Sequence, residues 1–179
     1  GMGEVLRTRD LKIRRDVAMK VARTERPDLL RRFVQEARIT AKLEHPNIVP
    51  IHDLGIDEEG HHYFTMKRVD GESLGESIEK GHKGSLVDGL QIFLKICDAV
   101  AFAHSKGVIH RDIKPDNVML GPFGEVLVMD WGLAKVIGGI DGLDFDHEEE
   151  DAVTDQTMLG SIKGTPAWMS PEQARGEND

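Results

Sequence analysis

The stretch His110-Arg111-Asp112-Ile113-Lys114-Pro115-Asp116-Asn117, followed thirteen residues after Asn117 by Asp130-Trp131-Gly132, decides how this chain is read. It sits in a turn-rich region of short runs, "VIH", "NVML", "GPFGE" and "VLVMD", which read as brief strands around turns. Before it lies a long apolar pattern. Ser85-Leu86-Val87-Asp88 has the form of a capping box, and from Leu86 a helix is expected to about Lys106, with Gly107 as its stop. Leu90, Phe93, Leu94, Cys97, Val100 and Ala101 are its expected inner face.

Further upstream, Arg15–Ala22 alternates Val17, Met19 and Val21 against Asp16, Ala18 and Lys20, the period of a strand. Pro27 opens a helix to about Leu43, with Leu30, Phe33, Ala37 and Ala41 as its apolar stripe. Glu36 lies beside that stripe, so it needs a cationic partner or must stay at the margin. "NIVPIHDL" and "HHYFTMKRV" read as two strands of a hairpin across "GIDEEG", and a short polar helix follows Gly71. The order is strands with one helix, then mainly helix, then a β-lined loop region.

Bulk properties narrow the function. The 179 residues suffice for one core or two small lobes, and no apolar run is long enough to span a bilayer. Cys97 is the only cysteine, which excludes an intrachain disulfide and a thiolate zinc cluster and suits a reducing cytosol. The net charge of −9 is concentrated: Asp141 to Asp155 holds eight acids and no Lys or Arg. The rest is nearly balanced, against a nucleic-acid surface. A phosphate-binding GxxxxGK[ST] loop and a Gly-x-Ser-x-Gly elbow are absent. His61 and His62, adjacent on an expected strand, would point to opposite faces and could not share a metal.

With Val17-Ala18-Met19-Lys20 upstream and Ser170-Pro171-Glu172 downstream, the quoted stretch resembles the eukaryotic-type protein kinases, in their bacterial Ser/Thr branch. The resemblance covers almost the whole chain. It implies an α+β, two-lobed fold: residues 1–69 a small β-rich lobe and hinge, residues 70–179 a helical lobe through the activation segment. It implies transfer of the ATP γ-phosphate to a Ser or Thr hydroxyl of a protein, with Mg2+, or Mn2+ in its place. Lys20 resembles the strand lysine on the α/β-phosphates and Glu36 the helix acid that pins it. Asp112 would orient the substrate hydroxyl, Lys114 would stand near the γ-phosphate, and Asn117 and Asp130 would ligate the metal. Thr165 resembles the threonine that braces Asp112 and Lys114. Val5 and Ala18 would cap the adenine and Met119 floor it. Met66 resembles the gatekeeper and Lys67 to Val69 the hinge. Met66 and Met119 also suit plain core packing.

Two features depart from the family pattern. Trp131 stands where Phe is usual, so a larger indole must pack under the Glu36 helix with its N–H needing a partner. The segment from Asp130 to Glu172 is long, its excess being the acidic run, which reads either as a solvated insertion or as a regulatory device. Arg111 would grip a phosphate in that segment, with Thr154, Thr157 and Ser161 as candidate phosphosites. Gly1 and Gly3 read as the end of the phosphate-covering glycine loop, Gly3 being its third glycine, or as an expression scar. On the loop reading the first strand and the later helices of the second lobe lie outside the chain, and the chain alone is expected to transfer little phosphate. The alternatives are a non-catalytic nucleotide-binding module and an interaction scaffold. Self-association through autophosphorylation is a further expectation, as are a cytosolic setting and no membrane contact from this segment.

Overall fold

The computed structural model describes residues 3–81, 84–137 and 164–176. Gly1, the acidic run, Thr154, Thr157 and Ser161 lie outside them.

The first part is a four-stranded antiparallel sheet with one helix. Strands β1 (Gly3–Asp10), β2 (Arg15–Ala22), β3 (Ile51–Ile56) and β4 (His62–Lys67) are ordered β1-β2-β4-β3. β1 is an element the sequence pattern did not mark. Its register sets Gly3 opposite Ala22 and Val5 opposite Lys20, so the strand begins at Gly3. A Cβ on Gly3 would meet the Val21 carbonyl oxygen at 2.7 Å, so glycine is what lets the two strands close there. β3 starts later than expected, beyond Pro50, and runs on to Ile56, so the turn is Asp57–His61. Lys67, expected in the hinge, is still in β4 opposite Val17, and the free connection begins at Arg68.

Helix α1 (Pro27–Lys42) starts at its proline as expected. Its buried positions are Phe33, Glu36, Ala37, Ile39 and Thr40, whereas Ala41 is exposed. Phe33 and Ala37 pack with Ala22, Val49, Phe64 and Met66 into a core between helix and sheet.

Beyond the connection, β5 (Glu72–Ser73) leads into α2 (Leu74–Glu79), capped by Ser73 with Glu76 reaching back. Helix α3 (Leu86–Ser105) has the expected Ser85–Asp88 capping box. Its buried side is not the expected one. Ala99 and Ala103 are its fully buried residues, with Ile96 and Phe102 packed beside them, while Leu90, Phe93, Leu94, Cys97 and Ala101 are exposed. Small side chains let α3 lie close against β6 (Val108–Ile109) and β8 (Val126–Val128). β7 (Val118–Leu120) pairs with β5 and β8, β9 (Lys135–Val136) pairs with β6, and α4 (Pro171–Ala174) ends the described chain. "GPFGE" is a turn closed by Gly121 N–H to the Glu125 carbonyl at 3.0 Å.

The loop after α1 locks the two parts together. Val49 N–H donates to the Val128 carbonyl, Val128 N–H to the Asn47 carbonyl, and the Asn47 side chain to the Val126 carbonyl. A second core, of Ile39, Leu43, Ile48, Ala99, Ala103, Val108, Val128 and Trp131, crosses this seam. The site therefore stands over a continuous apolar base.

Candidate active site

Lys20 projects from β2 and Glu36 from the buried side of α1. Their Nζ and Oε1 atoms are 2.6 Å apart, with side chains 15% and 5% exposed. Burial pushes the Glu36 carboxyl above its usual range while Lys20 pulls it back. The other carboxylate oxygen, Oε2, is buried and accepts no hydrogen bond among the described residues. A Cβ on Gly132 would come within 3.1 Å of it, so a side chain there would press on the ion pair. Lys20 Nζ is also 3.8 Å from Asp130 Oδ1 and 5.7 Å from the Phe64 ring centroid.

The second group forms around Asp112. Its Oδ1 accepts from the Thr165 N–H at 2.9 Å and from the Thr165 hydroxyl at 2.8 Å. Lys114 Nζ donates to the Thr165 hydroxyl oxygen at 2.8 Å and lies 3.3 Å from Asp112 Oδ2. Asn117 Nδ2 donates to the Asp112 backbone carbonyl at 2.8 Å and to Oδ2 at 3.2 Å. Burial works against the charge on Asp112, but the Thr165 hydroxyl, Lys114 and the Thr165 amide outweigh it and hold its pKa below the usual range.

Two residues at the site hold left-handed backbone: Arg111 at φ 65° and Asp130 at φ 56°. Each such conformation costs a non-glycine residue about 1–3 kcal/mol and persists only where its surroundings hold it. Around Arg111 the holding contacts are explicit. Arg111 Nε donates to the Leu133 carbonyl, and the Gln173 side chain donates to the Arg111 carbonyl. A Cβ on Gly164 would meet that same carbonyl oxygen at 3.0 Å. His110 bridges the two loops: its Nδ1 accepts the Asp112 N–H at 3.2 Å and its Nε2 pairs with the Met129 carbonyl at 2.9 Å. Burial holds His110 below its ordinary pKa. Met129 N–H in turn donates to the Asn117 carbonyl. His110, Gln173, Gly132 and Gly164 were not singled out from the sequence, because their part is to bond backbone or leave space.

Trp131 packs as expected, 1% exposed, between Ile39 and Leu43 of the α1 end and the α3 core, its ring 4.6 Å from that of His110. Its Nε1–H finds no acceptor among the described residues.

The remaining expected residues fall in two sheets: Ala18, Met66 and half-exposed Val5 in the four-stranded sheet, and Met119 in β7, paired with Leu127. Met66 is part of the first core. Lys67 N–H is given to the Pro50 carbonyl, and Val69 lies partly buried in the free connection beside Arg68. Asn117 donates through Nδ2, so its Oδ1 is the oxygen left for a cation. Asp130 is 54% exposed with Lys20 its ion-pair partner. A carboxylate and an amide oxygen with open space suit a hard divalent ion that keeps water or phosphate oxygens. His61 precedes β4 and lies with Asp57 and Glu59 on the hairpin turn, their ligand-type atoms within 4.8 Å of one another, a grouping the sequence did not suggest.

The profile of the protein kinase domain matches residues 1–178. The chain belongs to the protein kinase domain family. It is 40% identical over 99% of its length to the serine/threonine-protein kinase PknD of Protochlamydia amoebophila, and 41% identical over 98% to PknD of Chlamydia pneumoniae. PknD of Chlamydia felis is 38% identical over 98% of the chain. The chain spans about a fifth of the length of these curated relatives. A mixed α+β, kinase-like architecture follows from that membership. Protein kinases as a family act on proteins with ATP and Mg2+.

Proposed function

We propose that this kinase core binds Mg-ATP between the sheet and β7 and directs its γ-phosphate to a Ser or Thr hydroxyl of a protein. The division into lobes is proposed at residues 69 and 70. The observation that carries the reading is one bonded set: Thr165 and Lys114 fix the Asp112 carboxylate, and His110 and Asn117 tie that loop to Met129, the chain neighbour of Asp130, whose carboxylate lies 3.8 Å from Lys20.

Phosphoryl transfer asks mainly for position and charge neutralisation. Lys20, held by Glu36, presents its ammonium to the α/β-phosphates. Asp112, kept ionised, accepts a hydrogen bond from the substrate hydroxyl and aims its oxygen in line. Lys114 offsets charge near the γ-phosphate. Gly3, Val5 and Ala18 roof the nucleotide, Met119 floors it, Met66 bounds it, and Lys67 to Val69 meet the adenine edge; Gly1 would extend the roof. Asn117 and Asp130 would hold a divalent cation, Mg2+ or Mn2+, which when bound neutralises and orients the phosphate oxygens.

For regulation, phosphate on Thr154, Thr157 or Ser161 would engage Arg111, and autophosphorylation would bring two copies together. Replacing all three by alanine should then lower the rate of the full-length protein, and an unchanged rate would remove the idea. No described helix is long and apolar enough to cross a membrane. A cytosolic site of action suits the single cysteine.

Calorimetric titration of the chain with ATP and Mg2+ tests the reading. Binding should weaken strongly in Lys20→Met and lose its Mg2+ dependence in Asp130→Asn. Equal titration curves for wild type and both variants would contradict it. A scaffold without nucleotide chemistry would give no binding.

A further inference from the structure

One ion pair spans the cleft beside the free connection. Lys67, at the end of β4, pairs through Nζ with Glu125 Oε1 of the β7–β8 turn. The turn is braced from below. Lys95 Nζ of α3 donates to the Gly124 carbonyl at 2.6 Å, and Gly121 N–H closes the turn on the Glu125 carbonyl. A Cβ on Gly121 would come within 2.9 Å of Glu125 Cβ and 2.6 Å of its Oε2, so a side chain there would push the Glu125 side chain aside. From above, Lys67 is anchored by its pairing with Val17 and by its N–H on the Pro50 carbonyl. The result is a chain of fixed contacts running from α3 through Gly124, Glu125 and Lys67 into β4.

That chain brackets the nucleotide surfaces. Met66 precedes Lys67 on the upper side, and β7, which carries Met119, enters the Glu125 turn on the lower side. Among the described residues, the neighbouring ion pairs at this connection are Arg68 with Asp16 of β2 and with Asp70. Both involve exposed carboxylates and the connecting segment itself, so they do not reach the β7–β8 turn. The Lys67–Glu125 pair alone among them joins the sheet to the floor strands.

We propose that the side chains of Lys67 and Glu125 act as a clamp that sets the spacing between the roof and floor of the nucleotide cleft, a positioning role separate from the backbone edge that Lys67 shares with Val69. The role of the spacing rests on the nucleotide reading above. A pre-set cleft spares the bound state the ordering that an open one requires. Both side chains are more than a third exposed, so the effect is moderate and sensitive to salt.

The test compares wild type, Lys67→Met, Glu125→Gln and the exchanged pair Lys67→Glu/Glu125→Lys. Each single variant should bind Mg-ATP about two- to fivefold more weakly at low salt, and the exchanged pair should recover most of the loss. The deficit should vanish near 1 M salt, where about 3 Å of screening length remains. Amide exchange of residues 68–71 and 121–125 in nucleotide-free protein reads the clamp without any ligand. It should quicken in the single variants and slow again in the exchanged pair. Unchanged exchange in the singles, or an exchanged pair no better than they are, overturns the clamp. Wild-type protein that binds no Mg-ATP while its exchange follows the expected pattern keeps the clamp and overturns the nucleotide reading.

Discussion

Lys20 and Glu36 form an ion pair at 2.6 Å in which Glu36 is almost wholly buried and keeps one carboxylate oxygen without a hydrogen-bond partner among the described residues. The pair joins a strand to a helix, so it is a structural tie that, under the proposed nucleotide reading, also sets where α1 holds the Lys20 ammonium. Removing one partner strands a buried charge, whereas removing both does not.

The first prediction follows from that asymmetry. Lys20→Met should cost about 3–5 kcal/mol in urea unfolding at neutral pH, and Lys20→Met/Glu36→Leu should recover a large part. In the single variant the folded-state pKa of Glu36, already raised by burial, rises further. A raised pKa favours the folded state below the unfolded value of 4.5 and loses that benefit as pH climbs through the folded value. The variant should therefore be relatively more stable at pH 5 than at pH 8. A double variant less stable than the single would contradict this.

The second concerns His110, whose pKa burial lowers from 6.5. Below pH 6.5 the unfolded chain takes up a proton that the folded chain refuses, so stability is full above that pH and falls on acidification. Melting points between pH 7.5 and 5.5 should drop more steeply in wild type than in His110→Asn. Parallel slopes would refute the assignment.

The third is the Thr165 hydroxyl, which donates to Asp112 and accepts from Lys114. Loss of a hydrogen bond to a charged group is worth about 1.5–3 kcal/mol, so Thr165→Val should slow transfer by the full-length protein about ten- to a hundredfold. Thr165→Ser should restore most of it. The Km for ATP should hardly move, because the hydroxyl acts on the acceptor side.

The fourth weighs the indole of Trp131. Trp131→Phe removes a buried N–H that lacks an acceptor among the described residues, a saving that offsets the small cavity it leaves. Its net effect on stability should lie within about 1 kcal/mol of zero, while Trp131→Ala should cost about 3–5 kcal/mol. Urea titration of both variants checks the contrast.

Much of this was legible in the sequence, for physical reasons that also explain the misses. β2 and α1 announce themselves because each has one buried side, so alternation and the 3.6-residue period are clean. The polar residues of the site were legible through the resemblance of their motifs to the protein kinases, and phosphoryl chemistry explains why those residue types serve. β1 was missed because arginines and an aspartate fill this strand, and only its pairing with β2 settles its state. The wrong face of α3 was expected because apolar residues surround that helix. Periodicity could not choose between them, and the close approach of Ala99 and Ala103 to β6 and β8 did. Partners such as Gln173 and Glu125 were out of reach, since they meet the site 62 and 58 residues away along the chain.

The central claim is that Asp112 orients a hydroxyl for phosphate transfer in a cleft that Lys20 and Asp130 complete. The most direct measurement is transfer of labelled γ-phosphate to serine and threonine by the full-length protein, with Asp112→Asn alongside and Mg-ATP binding measured on both. The account predicts near-equal nucleotide binding and a loss of transfer of at least about a hundredfold in the variant. Transfer by Asp112→Asn at the wild-type rate would contradict it.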